Sequence, residues 1–205
     1  MNALNASQTD ALTELLNIAF GLTAAKLSEI SGCRVLLEAP IVGIHPMHAL
    51  ARELRPFVTG PVASVHQVFS GLVSGDAILF LNYEGAVKLS NLFVEEHRRS
   101  QRLDSSTGEI LTEVGNMLLG ACLGVFGNLL EVRVSFSIPL LHLDSLEHFL
   151  TSLSIGGDEL RHAIVVGASF HIREQGVVGR LVIVLGVSSL ERLIQAVERW
   201  EGSQY

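Results

Sequence analysis

The chain carries one residue pattern twice. Residues 10–40 read DALTELLNIAFGLTAAKLSEISGCRVLLEAP, and residues 109–139 read EILTEVGNMLLGACLGVFGNLLEVRVSFSIP. Glu14, Asn17 and Pro40 recur as Glu113, Asn116 and Pro139, each displaced by 99 positions. Further on, GDAILFL at 75–81 is echoed by GRLVIVL at 179–185, displaced by 104. A repeat of this kind constrains the fold more than any single element does, because each unit must present the same faces for burial. Two similar units in one chain predict halves that face each other across a pseudo-two-fold axis.

Both halves carry the same order of signals. A long helix is expected at 8–31 and at 105–130, then a strand at 33–39 and at 131–138. Each strand runs up to a proline, which cannot donate a ladder hydrogen bond and so reads as a strand stop. Short helices follow near 46–55 and 143–153. The pairs 61–70 with 75–82 and 162–172 with 177–186 are joined by glycine-bearing turns, which predicts hairpins. A helix closes each half, at 83–98 and 187–201, the second with Ser188 and Ser189 near its start as cap candidates. The expectation is an α+β fold of about six mainly antiparallel strands, two long helices and several shorter ones. The charged stretch 97–106 reads as the exposed connection between halves of about 8–98 and 105–201 within a single domain spanning 1–205. The strand runs AILFLNY and RLVIVLGV are nearly all apolar, so the sheet centre should be covered on both faces.

Composition removes several function classes. The chain has 205 residues and a formal net charge of −7, with 48% hydrophobic and only 6% aromatic residues. An acidic surface poor in aromatic rings suits neither a phosphate backbone nor stacked bases, so no nucleic-acid role is expected. The uncharged run 114–130 is at the short limit for a membrane span and holds Asn116 and Asn128, so it reads as a buried helix and no membrane insertion is expected. The first ten residues show neither a basic stretch nor an apolar run of the signal-peptide type. Cys33 and Cys122 form no CxxC pattern and read as reduced, buried thiols, although counting alone leaves one disulfide open. His45 and His48 are three apart but have no adjoining cysteine or carboxylate cluster, and two ligands do not make a zinc site. No GxxxxGK[ST] phosphate loop and no GxSxG nucleophile elbow occurs.

The chemistry is expected on the two long helices. Glu14 and Asn17 are three apart, hence neighbours on one helix face, with Leu12, Leu15, Leu16 and Ala19 turned to the core. Glu113 and Asn116 repeat this against Ile110, Leu111, Val114 and Met117. Glycine costs about 1 kcal/mol relative to alanine inside a helix. Gly21 in the first helix and Gly120, Gly124 and Gly127 in the second therefore predict close passage of the backbone past a neighbour. One Glu-x2-Asn pair alone reads as a solvated face. The pair is informative because it occurs twice and lies each time at the same distance from a proline. Three fixed residues at fixed offsets arise by chance about once in 10⁴ starting positions.

The pattern Asp/Ser-x3-Glu-x2-Asn-x22-Pro is that of the CheC, CheX and FliY chemotaxis phosphatases, and this chain resembles that family. Asp10, Glu14, Asn17 and Pro40 match it, and Glu109, Glu113, Asn116 and Pro139 match it again in part. The resemblance extends over about residues 8–200, and the double motif brings it nearest to CheC. The second copy departs at Glu109, where the family has Asp or Ser. If that position starts the helix, Thr107 or Ser106 is expected to take over.

The resemblance implies a phosphatase that hydrolyses the aspartyl-phosphate of a phosphorylated CheY-like receiver. Asn17 and Asn116 would orient the attacking water, Glu14 and Glu113 would pair with the partner's lysine, and Asp10, Glu109, Pro40 and Pro139 would support the motif. No cofactor of the chain's own is implied, since the Mg²⁺ belongs to the phosphorylated partner. The competing expectation is a non-catalytic adaptor on the same scaffold, as in the related FliM, binding a receiver, a flagellar-switch partner or CheD. A cytoplasmic monomer or weak homo-oligomer is expected.

Overall fold

The computed structural model describes residues 5–32, 34–38, 41–57, 60–94, 99–129, 131–154, 161–172 and 175–202. Six strands of one eight-stranded sheet run in the order β1 (Val35–Leu37), β7 (Arg161–Ile172), β8 (Gln175–Gly186), β4 (Gly75–Asn82), β3 (Val62–Gly71), β5 (Val134–Phe136). Two more segments lie off this path: β2 (Ile41–Pro46) pairs with β7, and β6 (Leu140–Asp144) pairs with β3. Every pairing is antiparallel. The expected α+β class and antiparallel order hold, with eight strands in place of about six.

The two extra strands arise where a stop was expected. β1 and β2 both run along β7, and β5 and β6 both run along β3. Pro139, between β5 and β6, therefore interrupts one long edge rather than ending it. A missing amide donor removes one ladder bond, and the chain re-enters the ladder beyond it. Pro40 and Cys33 lie outside the described residues.

The helices are α1 (Ala6–Ser31), α2 (Leu50–Leu54, after a 3-10 turn at Met47–Ala49), α3 (Tyr83–Asn91), α4 (Ser105–Leu129), α5 (Leu146–Ser154) and α6 (Val187–Gly202). α3 ends at Asn91, short of the expected 98. Its C-cap amide at Leu92 turns back to the Leu89 and Ser90 carbonyls. Residues 99–104 are tied down by Asn91, which donates to the Ser100 carbonyl (2.7 Å) and accepts from the Ser100 amide (3.0 Å). In α6, Ser188 and Ser189 lie inside the helix rather than before it, and the Ser189 hydroxyl accepts from the Ser74 amide (3.2 Å).

The two faces of the sheet are both covered, as the unbroken apolar runs require. Ala77, Leu79, Leu81, Leu181, Ile183 and Leu185 join the core under α1 and α4. The alternate residues Ile78, Phe80, Val182 and Val184 join a second core with Leu50 and Leu54 of α2 and Leu146, Phe149 and Leu150 of α5. This is the period-two alternation of a strand with neither side wet. The central pairing of β4 with β8 sets Ile78 opposite Val182, two residues that the 104-position displacement also relates. Cys122 is a free thiol at the centre of the first core, and burial pushes its pKa up to about 12. Among the described residues no helix is long and apolar enough to cross a membrane.

Candidate functional site

α1 and α4 pack against each other, and each offers its carboxylate and carboxamide on the side away from its buried leucines. Leu12, Leu15, Leu16 and Ala19 are buried in α1, as are Leu111 and Val114 in α4, with Ile110 and Met117 partly so. Glu14, Asn17 and Glu113 are exposed, and Asn116 is half-buried. The 3.6-residue period explains this: residues at i and i+3 share a face, and the apolar residues between them turn that face outward.

The first motif position does not start either helix. The α1 cap is Asn5, whose side chain accepts from the Gln8 amide (2.8 Å) while the Asn5 amide donates to Gln8 Oε1 (2.9 Å). For α4 the same reciprocal arrangement is made by Asp104 and Thr107. The Thr107 amide donates to Asp104 Oδ1 (2.9 Å), and the Asp104 amide donates to Thr107 Oγ1 (2.8 Å). The hydrogen bonds from the Thr107 amide and hydroxyl hold the Asp104 carboxyl below the usual carboxylate range. Thr107 thus completes the cap from the third helical position, as in a capping box, and Asp104 supplies the cap itself. Asp10 and Glu109 both lie on exposed positions inside their helices. The Glu109 departure accordingly leaves the start of α4 intact.

Around Glu113 the surface is concave. Glu109, Thr112 and Glu113 on α4, Asp104 before it, and Leu141 and Leu143 on β6 border one open groove. Its lining brings three carboxylates beside apolar leucine side chains. Among the described residues no three His, Cys, Asp or Glu side chains gather as a metal site. His45 lies 4.0 Å from Glu53, and His66 pairs with Asp76 at 3.0 Å beside His142 and Phe149 on the far face of the sheet.

The expectation of close passage holds at Gly127 and fails at Gly21, Gly120 and Gly124. A Cβ at Gly21, Gly120 or Gly124 would meet nothing within 4 Å, so none of these is required by a neighbour. At Gly127 it would come within 2.9 Å of the Val132 carbonyl, and at Gly115 within 2.7 Å of the Val65 side chain on β3. Gly115 immediately precedes Asn116. It lets α4 lie on β3, and Asn116 Oδ1 then accepts from Gln67 Nε2 at 2.9 Å. Sequence reasoning missed Gln67. The available signal was a glutamine at the inward parity of a strand, between Val65 and Phe69.

No family model matches the chain. It is 25% identical to the CheY-P phosphatase CheC of Bacillus subtilis (strain 168), with 96% of each chain covered. In fold it is similar to Thermotoga maritima FliY, with a TM-score of 0.77 at 18% identity over 96% of this chain and 98% of that one. It is likewise similar to FliM from H. pylori solved in complex with FliG, with a TM-score of 0.68 at 12% identity over 94% and 100% of the two chains. Near-full-length sequence similarity, the twofold motif and this sheet together make the chain CheC-like, similar to the CheC/CheX/FliY family in sequence and in fold.

Proposed function

We propose that this CheC-like chain hydrolyses the aspartyl-phosphate of a phosphorylated CheY-like receiver in chemotaxis signalling. The observation that carries the reading is the Glu-x2-Asn pair presented at the surface of both α1 and α4. The similarity to a CheC named for CheY-P hydrolysis supports it. We read the chain as one cytoplasmic domain built of two fused repeats.

The chemistry asks little of the protein beyond positioning. A water oxygen attacks phosphorus in line with the leaving oxygen. The bond from phosphorus to the aspartyl oxygen breaks, and its electron pair restores the receiver's carboxylate. The water's proton leaves with inorganic phosphate or to solvent. Such transfers depend on orientation and charge stabilisation, and a side-chain amide orients water by donating and accepting at once. Asn17 and Asn116 take this role. Glu14 and Glu113 pair with the receiver's lysine and set the register of docking. The receiver supplies the Mg²⁺, and no cofactor is held by this chain.

The test is phosphate release from a phosphorylated receiver. Replacing both asparagines, Asn17→Ala with Asn116→Ala, should lower the stimulated rate by about 10²-fold, the scale for loss of a transition-state hydrogen-bonding group. Wild-type turnover by the double variant would reject the scheme. A second reading, an adaptor binding a receiver, a switch component or CheD, is favoured by the fold likeness to FliM. It predicts receiver binding without stimulated release, and the assay run with and without CheD separates the two.

A further inference from the structure

Along β3 the buried residues on the α4 side are Ala63, Val65, Gln67 and Phe69, and Gln67 alone among them is polar. It is 2% exposed. Its Nε2 donates twice, to Asn116 Oδ1 at 2.9 Å and to the Ser137 carbonyl at 3.0 Å. Its Oε1 is buried and finds no donor among the described residues. A buried amide with an unanswered oxygen costs stability, so an apolar residue would serve the core better. The side chain is therefore better accounted for by what it holds than by what it packs.

What it holds is determined by elementary chemistry. A backbone carbonyl only accepts, so the end of Gln67 facing Ser137 must be the NH2. The same NH2 faces Asn116, so the atom of Asn116 turned to it must be the carbonyl oxygen. Ser137 is itself fixed to β3, its amide donating to the Val68 carbonyl (2.9 Å) and its hydroxyl accepting from the Val68 amide (3.0 Å). Ser137 stands two residues before Pro139. One glutamine thus ties the motif asparagine to the connector that carries the motif proline.

We infer that Gln67 is a positioning residue of the second site: it fixes which way the Asn116 carboxamide points. The amide nitrogen of Asn116 is left for an acceptor from outside, and one lone pair of Oδ1 remains for water. Among the described residues the first site has no counterpart of this brace. Gln67 pairs with Ala77 across the hairpin; the corresponding residue of the other hairpin is Leu181, whose partner is Val166. Valine cannot donate. The two sites are therefore unequal, with the second preorganised. This rests on the phosphatase reading above.

The experiment places Gln67→Met in two backgrounds. With Asn17→Ala, only the second site remains, and turnover number should fall about tenfold with KM little changed, the effect of one lost hydrogen bond. With Asn116→Ala, the same substitution should leave turnover unchanged. The melting temperature should hold or rise in both. Equal losses in the two backgrounds, no loss in the first, or a fall in melting temperature that accounts for the loss would overturn the inference. Side-chain amide exchange by NMR decides the brace without activity. The Gln67 NH2 protons should be protected in wild type and exchange faster in Asn116→Ala, and rapid exchange in wild type would reject it. Should the wild-type protein release no phosphate, the functional reading fails while this measurement still decides the brace.

Discussion

The residue just before the motif asparagine is Leu16 in α1 and Gly115 in α4. Leu16 is fully buried, a wedge between its helix and the core. Gly115 has no side chain, and the β3 side chain of Val65 occupies the space a Cβ would need. The Glu-x2-Asn spacing is the same in both helices, yet the residue before the asparagine differs, and in α4 its missing side chain leaves room for Val65 against the helix. Asn17 stays exposed, whereas Asn116 is drawn in to meet Gln67. Repeating the motif residues does not repeat their surroundings. Helix-to-sheet distance is set by the bulk of the buried residue, and hydrogen-bond reach tolerates only tenths of an ångström.

Exchanging the two packing solutions should break the contrast. Leu16→Ala leaves a cavity under α1 and should destabilise by about 2–5 kcal/mol, measured by denaturant unfolding. Gly115→Ala forces a methyl onto a β-branched neighbour and should cost about 1–3 kcal/mol despite the better helix propensity of alanine. Gly120→Ala, which meets open space, should instead stabilise. Loss of stability in Gly120→Ala, or none in Gly115→Ala, would mean that close approach does not set the position of α4.

Single asparagine variants sharpen the comparison in activity. If the brace makes the second site about tenfold faster, Asn116→Ala should remove about nine-tenths of stimulated phosphate release and Asn17→Ala about one-tenth. Equal halves would show that both sites work alike. The smallest effect lies on the opposite face of the sheet, where burial, and secondarily the nearby His66, push the His142 pKa down, while Asp144 opposes them. His142 thus stays neutral in the folded protein where the unfolded chain would protonate it. The unfolded state then binds more protons, so stability falls as the pH drops below the ordinary histidine range near 6.5. His142→Phe should flatten that slope in a series of melting curves.

Sequence alone determined the helices, the hairpins and which residues face outward, because these follow from periodicity within one element. Glu14 with Asn17, and Glu113 with Asn116, were legible as shared faces. The apolar runs of β4 and β8 foretold a sheet buried on both sides. Edge strands β2 and β6 were not legible, because their residues are only half-buried and their pairing depends on long partners far along the chain. The helix caps were misplaced by a few residues, since Asp104 and Thr107 act as a pair that only geometry reveals. Tertiary structure alone decided that Gly115 and Gly127, and not Gly120 or Gly124, are the α4 glycines that a neighbour crowds. It alone also brought Gln67 to Asn116 across 49 positions of sequence. A contact between distant segments depends on how two surfaces interlock, and no pattern within either segment encodes that.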